Sequence, residues 1–248
     1  MLLIQFAIGA LNDVVDAPRD AALRPGKPVA TGHVAARTAA AIASVAAAAG
    51  LALAATRGGP TVIVAAAGLA TGVAYDLRLK ATALSWLPFA IGIPLIPVFA
   101  WVGATGSVAP PVLGLALLAC PAGAGLAIAN ALADIPADDA AGTRTVATRL
   151  GPRAAWLVAT GLLAATYAAA ALTLVAAGAG PANADAGRPT AFIAWLAIVS
   201  SGVLLAAGAS LGRGPGADRR RMGWGTEAVA LAVLACGWVG ALAAAGRL

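Results

Sequence analysis

The chain has 248 residues, of which 61% are hydrophobic and only 10% charged, with a mean hydropathy of +0.90. A soluble domain carries about 25% charged residues, so this chain could not cover a water-facing surface of its own size. A soluble enzyme, a disordered tail and a secreted disulfide scaffold are excluded, and an integral membrane protein remains. Its net charge of +6 comes without a basic, aromatic-interleaved segment, so no nucleic-acid partner is expected.

In chain order, apolar runs fall at 1–16, 34–56, 60–75, 83–104, 108–130, 153–178, 190–211 and 226–246. A helical span needs about 20 apolar residues, so the runs predict a multi-helix transmembrane bundle whose first member is short. Ala and Gly dominate them, which suits close helix packing in lipid. Cys120 and Cys236 lie inside two of the runs and are expected as small buried apolar side chains, not as a disulfide or metal pair. Trp86, Phe89 and Trp101 are expected as interfacial or packing aromatics.

The connections between runs sort the charges. One alternate set carries Arg19, Arg24, Lys27, Arg37, Arg78, Lys80, Arg144, Arg149, Arg153, Arg213, Arg219, Arg220 and Arg221, and the other only Arg57, Arg188 and Arg247. The positive-inside bias places the first set in the cytoplasm and predicts a multi-pass protein of the cell membrane. The run Arg219-Arg220-Arg221 reads most simply as a topology and lipid-surface anchor. Nine of the ten acids lie on that same side, with Asp185 opposite. Acidic residues contribute little to orientation, so their gathering needs another reason.

Most of these acids fall in two clusters, Asn12–Asp20 and Asn130–Asp139, 118 residues apart, which share the pattern N-x3-D-x-P-x-D. Each follows an apolar run and precedes a loop with Gly and Arg, as in a weak internal repeat of a four-helix unit. On a helix, positions i, i+4 and i+8 fall within an arc of about 80°. Asn12, Asp16 and Asp20 therefore share a face, with Asp13 at its edge, and Asn130, Asp134 and Asp138 share another, while Asp139 points away. Pro18 and Pro136 are expected to end or kink each helix, leaving the last aspartate just beyond it.

Like charges packed at a membrane face are costly unless something positive lies between them. Solvated helix ends paired with nearby Arg would account for one such cluster; two matching clusters in so charge-poor a chain point to a bound cation. Hard oxygen ligands supplied in ones and twos describe Mg²⁺, which shares its shell with water and substrate phosphates. Basic residues alternate with the acids: Arg24 and Lys27 after the first cluster, Arg78 and Lys80 between, Arg144 and Arg149 after the second. Mg²⁺ with Arg and Lys around an anion is an arrangement that binds diphosphate and stabilises it as a leaving group. The apolar helices would then accommodate a hydrophobic tail on that diphosphate.

These residues resemble the UbiA superfamily of intramembrane prenyltransferases. The family's NDxxDxxxD appears as Asn12, Asp13, Asp16 and Asp20. Its DxxxD with a following G-x-x-T…LG stretch appears as Asp134, Asp138, Gly142, Thr145, Leu150 and Gly151. Between them Tyr75-Asp76-Leu77-Arg78-Leu79-Lys80 is similar to the family's Tyr…Leu-Lys loop, and the segment from Arg24 to Gly32 to its RP…SG stretch. The resemblance implies an all-α bundle around a central cavity with cytoplasmic cap loops, forming one domain over residues 1–248. It implies that the two motifs hold Mg²⁺ through Asn12, Asp13, Asp16, Asp20, Asn130, Asp134 and Asp138, with Asp13, Asp16, Asp134 and Asp138 as the catalytic acids. Asn12, Lys27, Tyr75, Arg78, Lys80 and Arg144 become the expected diphosphate contacts. The implied partners are an isoprenyl diphosphate donor, a small-molecule or lipid acceptor, and the bilayer. The family usually has nine helices, one of them complete before the helix with the first motif. Residues 1–11 reach only about 16 Å as helix against a core of roughly 30 Å, so a missing first family helix is expected.

Two further readings compete with transfer to an acceptor. A cyclase of the same fold would let the cation react with its own double bonds. An ion-coupled transporter would use acids near mid-membrane, whereas these are expected at helix ends.

Overall fold

The computed structural model of the chain describes residues 1–23, 26–179 and 189–247. Arg24, Pro25, Asp185 and Arg188 lie outside the described residues. Eight α-helices follow in order: α1 Leu2–Leu23, α2 Ala36–Ala55, α3 Gly59–Ala74, α4 Leu87–Thr105, α5 Pro110–Ala140, α6 Val146–Ala176, α7 Pro189–Arg213 and α8 Ala217–Ala244. A π-helical turn, Tyr75–Leu79, continues α3. No strand occurs among the described residues. Seven helices, all but α1, are long and apolar enough to cross a membrane. The all-helical transmembrane class read from the apolar runs is therefore what the chain adopts.

Two compact units divide the chain, Met1–Ala116 and Leu117–Leu248. In the first, α1 packs on α2 and α3, and α3 on α4. Side chains of α1 press onto glycines: Ile4 lies against Gly50 of α2, and Ile8 against Gly72 of α3, where an added Cβ would overlap the isoleucine. Apolar burial drives little association inside lipid, so such close approach is what holds the helices together.

In the second unit α7 and α8 form the tightest pair, and α6 packs on both. A Cβ on Gly223 of α8 would stand 2.7 Å from the Gly208 carbonyl oxygen of α7, so these helices meet backbone to backbone. Polar side chains add interhelical bonds where water cannot supply them. Trp156 Nε1 donates to the Ala209 carbonyl at 2.8 Å, Trp238 Nε1 to Thr173 Oγ1 at 2.8 Å, and Tyr167 Oη to the Ile198 carbonyl at 3.2 Å.

Several boundaries differ from expectation. Pro18 and Pro136 lie inside α1 and α5, which run on to Leu23 and Ala140. Prolines persist within membrane helices because breaking the helix would free more backbone groups than the ring does. Asp20 and Asp138 therefore remain helical. α6 starts at Val146, seven residues before the expected run, with a break at Gly151 (φ 74°, ψ 163°). α8 starts at Ala217 and takes the arginine run into its first turns. Neither cysteine is in a disulfide, but Cys236 is exposed and Cys120 half-buried, correcting the expectation that both are buried. A thiol is apolar enough to face lipid.

Candidate active site

The first acidic cluster is organised by one register. Ile8 meets Gly72, Asn12 Nδ2 donates to Asp76 Oδ1 at 2.8 Å, and Lys80 Nζ pairs with Asp16. Each pair is 64 residues apart, and the α1 members are one turn apart, so α1 lies parallel to α3 and its π turn. The bond from the Lys80 amide to the Tyr75 carbonyl, 3.0 Å, closes that turn. Such turns are rare and frequent at functional sites. Tyr75 meets Phe89 edge to face, ring centroids 5.4 Å apart, so Phe89 packs as expected.

Lys27, from the loop after α1, lies between Asp13 and Asp20, 2.8 Å from each. Burial alone would lower the Lys27 pKa, but the hydrogen bonds and charges of Asp13 and Asp20 outweigh it and raise it above the ordinary lysine value. The ammonium is thus held charged. Asp20 and Asp76 are buried, Asp76 to 2% exposure.

In the second unit Asp134 and Asp138 sit near the end of α5. Arg221, from the first turns of α8, reaches Asp134 Oδ1 at 3.3 Å, and Arg220 donates to the Leu132 carbonyl at 3.1 Å. Asp138, 3% exposed, accepts a long bond of 3.5 Å from Thr145 Oγ1. Thr145 is also the N-cap of α6, accepting from the Thr148 amide at 3.3 Å. Gly142 (φ 66°) supplies the left-handed residue that lets the chain leave α5 and return to Thr145. The sequence stretch Gly142-x-x-Thr145 thus brings the Thr145 hydroxyl back to Asp138.

Asn12, Asp13, Asp16, Asp20, Lys27 and Lys80 are brought together in the first unit. Asn130 is half-buried one turn before Asp134, and Asp139 is exposed, pointing away as the helical wheel requires. Arg78 and Arg144 are exposed, and neither forms an ion pair among the described residues. Sequence reasoning missed Asp76, which read as a loop charge. It also missed Arg220 and Arg221, whose partners are in the protein and not only at a lipid surface. The one available signal was an acid next to an apolar run, four residues before Lys80.

Asp20 and Asp138 stand in the last turns of α1 and α5, where the backbone's partial negative charge adds to that of the carboxylates. Asp13, Asp16, Asp20 and Asp76 set four carboxyl groups beside the ammonium groups of Lys27 and Lys80, a set rich in hard oxygen donors. Among the described residues no three His, Cys, Asp or Glu side chains close around a common point. A hard cation that keeps water and substrate oxygens in its shell fits such a donor set; zinc, which needs a closed nitrogen or sulfur set, does not.

Among the described residues, seven membrane-length helices define an integral membrane protein, and its acids are paired with lysine and arginine side chains. The chain belongs to the UbiA prenyltransferase family, whose family model matches residues 1–226. It is similar in structure to the apo form of a UbiA homolog from Aeropyrum pernix, at 19% identity and a TM-score of 0.74, covering 96% of this chain and 85% of that one. It is also similar to a UbiA homolog from Archaeoglobus fulgidus bound to GPP and Mg²⁺, at 18% identity and a TM-score of 0.68, covering 96% and 86%. A structure described as digeranylgeranylglyceryl phosphate synthase matches at 17% identity and a TM-score of 0.67, covering 98% and 85%. At these identities the likeness establishes the fold. No curated protein matches the chain in sequence.

Proposed function

We propose that this protein transfers an isoprenyl group from a prenyl diphosphate to an acceptor within the membrane, releasing diphosphate, with Mg²⁺ as cofactor. The reading rests foremost on the interleaving of Asp13, Asp16 and Asp20 with the ammonium groups of Lys27 and Lys80 at the end of α1. Family membership and the GPP and Mg²⁺ bound to the Archaeoglobus homolog support it. In this reading residues 1–248 act as one domain, with both acidic helix ends on the cytoplasmic side of the cell membrane.

Asn12, Asp13, Asp16 and Asp20 of the first unit, and Asn130, Asp134 and Asp138 of the second, would hold metal ions. Bound Mg²⁺ supplies Lewis acidity that neutralises charge on the departing diphosphate. Lys27 and Lys80 then exchange their carboxylate partners for diphosphate oxygens, donating N–H bonds while staying protonated. Breaking the allylic carbon–oxygen bond leaves the pair with diphosphate and creates a carbocation among apolar side chains. The acceptor's nucleophile forms the new bond to that carbon and releases a proton.

The test is a panel of prenyl diphosphates, including GPP, against aromatic and lipid-alcohol acceptors, with the purified full chain and Mg²⁺ and read by mass spectrometry. Prenylated acceptor, dependent on Mg²⁺ and lost with chelator, is expected. A hydrocarbon or terpene alcohol formed without acceptor would replace the transferase with the cyclase. No Mg²⁺-dependent diphosphate release from any donor would overturn both.

A further inference from the structure

The carboxylate of Asp76 is nine-tenths buried, yet none of the residues expected at the site accounts for it. It is 2% exposed; Oδ1 accepts from Asn12, and Oδ2 is buried with no hydrogen-bond partner. A carboxylate out of water with one oxygen unsatisfied is destabilising, and the π turn that carries it is itself a departure from regular helix. A structural tether between α1 and α3 needs neither cost, because Ile8 against Gly72 and Lys80 on Asp16 already join them in the same register.

Its effect on Asn12 is specific. An asparagine amide has a donor end and an acceptor end, exchanged by a half-turn of the side chain. Only the acceptor end can bind a cation; the NH₂ end repels it. Asp76, unable to donate when ionised, accepts only from Nδ2 and so turns Oδ1 away from itself. Neither Lys27 nor Lys80 could impose this orientation, since both donate. We infer that Asp76 is a positioning residue that locks the Asn12 amide with its oxygen presented to the metal–diphosphate site, so that the one neutral side chain of the first motif acts as a ligand.

The inference rests on the proposed metal-dependent reading. Second-layer partners that orient a ligand typically change metal affinity by about 10- to 100-fold when removed. The test is Mn²⁺ binding, followed by electron paramagnetic resonance, to the solubilised full chain with inorganic diphosphate. Asp76→Leu, similar in size and without an acceptor, should weaken Mn²⁺ binding about tenfold or more. Asp76→Asn should stay within about threefold of wild type, because its carbonyl still accepts from Asn12. The same ordering is expected in the Mg²⁺ concentration needed for half-maximal turnover, with maximal turnover changed less.

Wild-type-like Mn²⁺ binding by folded Asp76→Leu overturns the inference, and so does an Asp76→Asn protein as weak as the Leu variant, which would make charge the important property. If Asp76→Leu does not fold, the exchange of the pair decides. Asn12→Asp alone, which opposes two carboxylates, should lose Mn²⁺ binding, and Asn12→Asp with Asp76→Asn should regain it. No recovery overturns the inference. A wild-type chain that binds no Mn²⁺ with diphosphate overturns the metal-dependent reading itself, and the inference with it.

Discussion

The two acidic helix ends carry nearly the same sequence pattern and are balanced in different ways. In the first unit Asp16 and Lys80 are both largely buried, their side chains 20% and 17% exposed, and Lys27 bridges two more acids. In the second, Asp134 pairs with Arg221, whose side chain is 53% exposed and also reaches Asp218 at 3.4 Å. Coulombic attraction is several times stronger at the lower effective dielectric of a partly buried site than in water, and exposed pairs contribute little. The first group is therefore a fixed acid–base lattice, and the Arg221 arm of the second is free to change partners. A shared motif fixes where the acids stand; the helices packed around it decide how tightly their counter-ions are held.

The most severe test of this contrast removes the acids themselves. Asp16→Asn and Asp134→Asn should each reduce turnover of an allylic diphosphate by about 100-fold or more, the loss typical of removing one charge-stabilising group. Both proteins should still insert and run as monodisperse species. Wild-type-like turnover in either variant would sink the metal role of that motif and leave the two groups unequal in function as well as in structure.

Removing the bases should separate the groups. Lys80→Ala leaves a largely buried Asp16 uncompensated, so turnover should fall about 10- to 100-fold and the melting temperature should drop as well. Arg221→Ala breaks an exposed pair, and its melting temperature should change by no more than a degree or two, for an effect of about 0–1 kcal/mol. Equal melting losses would show that exposure does not distinguish the pairs. Gly72→Val probes the same lattice from beneath. It pushes Ile8 from α3, and overpacking of this kind costs about 1–3 kcal/mol, with loss of Mg²⁺-dependent activity expected alongside because Asn12 and Asp16 lie on the same face one and two turns on.

Much of this was legible in the residues. Each of the eight apolar runs is a helix, because segments this poor in charge must satisfy their backbone internally in lipid. The spacing Asn12, Asp16, Asp20 gave a common face, and Lys27 and Lys80 are beside the acids as the alternation of charge implied. What sequence could not show was pairing between elements. Helical periodicity states which side of α1 bears Asn12, not that Asp76, 64 residues on, meets it. The arginine run misled for a related reason: a basic cluster satisfies the topology bias whether or not its members also bond inside the protein, as Arg220 and Arg221 do. Of the two outcomes expected at Pro18 and Pro136, ending the helix does not occur, because rules drawn from water-soluble helices overstate how readily a membrane helix ends.

A further test, of modest size, asks how the second group holds its buried acid. Thr145 performs two tasks with one hydroxyl, capping α6 at the Thr148 amide and donating to Asp138. Loss of an N-cap costs about 1 kcal/mol, so Thr145→Ala should lower the melting temperature by a few degrees. The Asp138 bond is long at 3.5 Å, so its loss should add little in stability. It should add more in function, because losing this donor lets the buried carboxylate shift from the ligand position. Thr145→Ser keeps the hydroxyl and should restore both properties. If Thr145→Ala lowers stability while leaving the Mg²⁺ dependence of turnover unchanged, Thr145 is a cap alone. Asp138 would then owe its place to contacts other than the Thr145 hydroxyl.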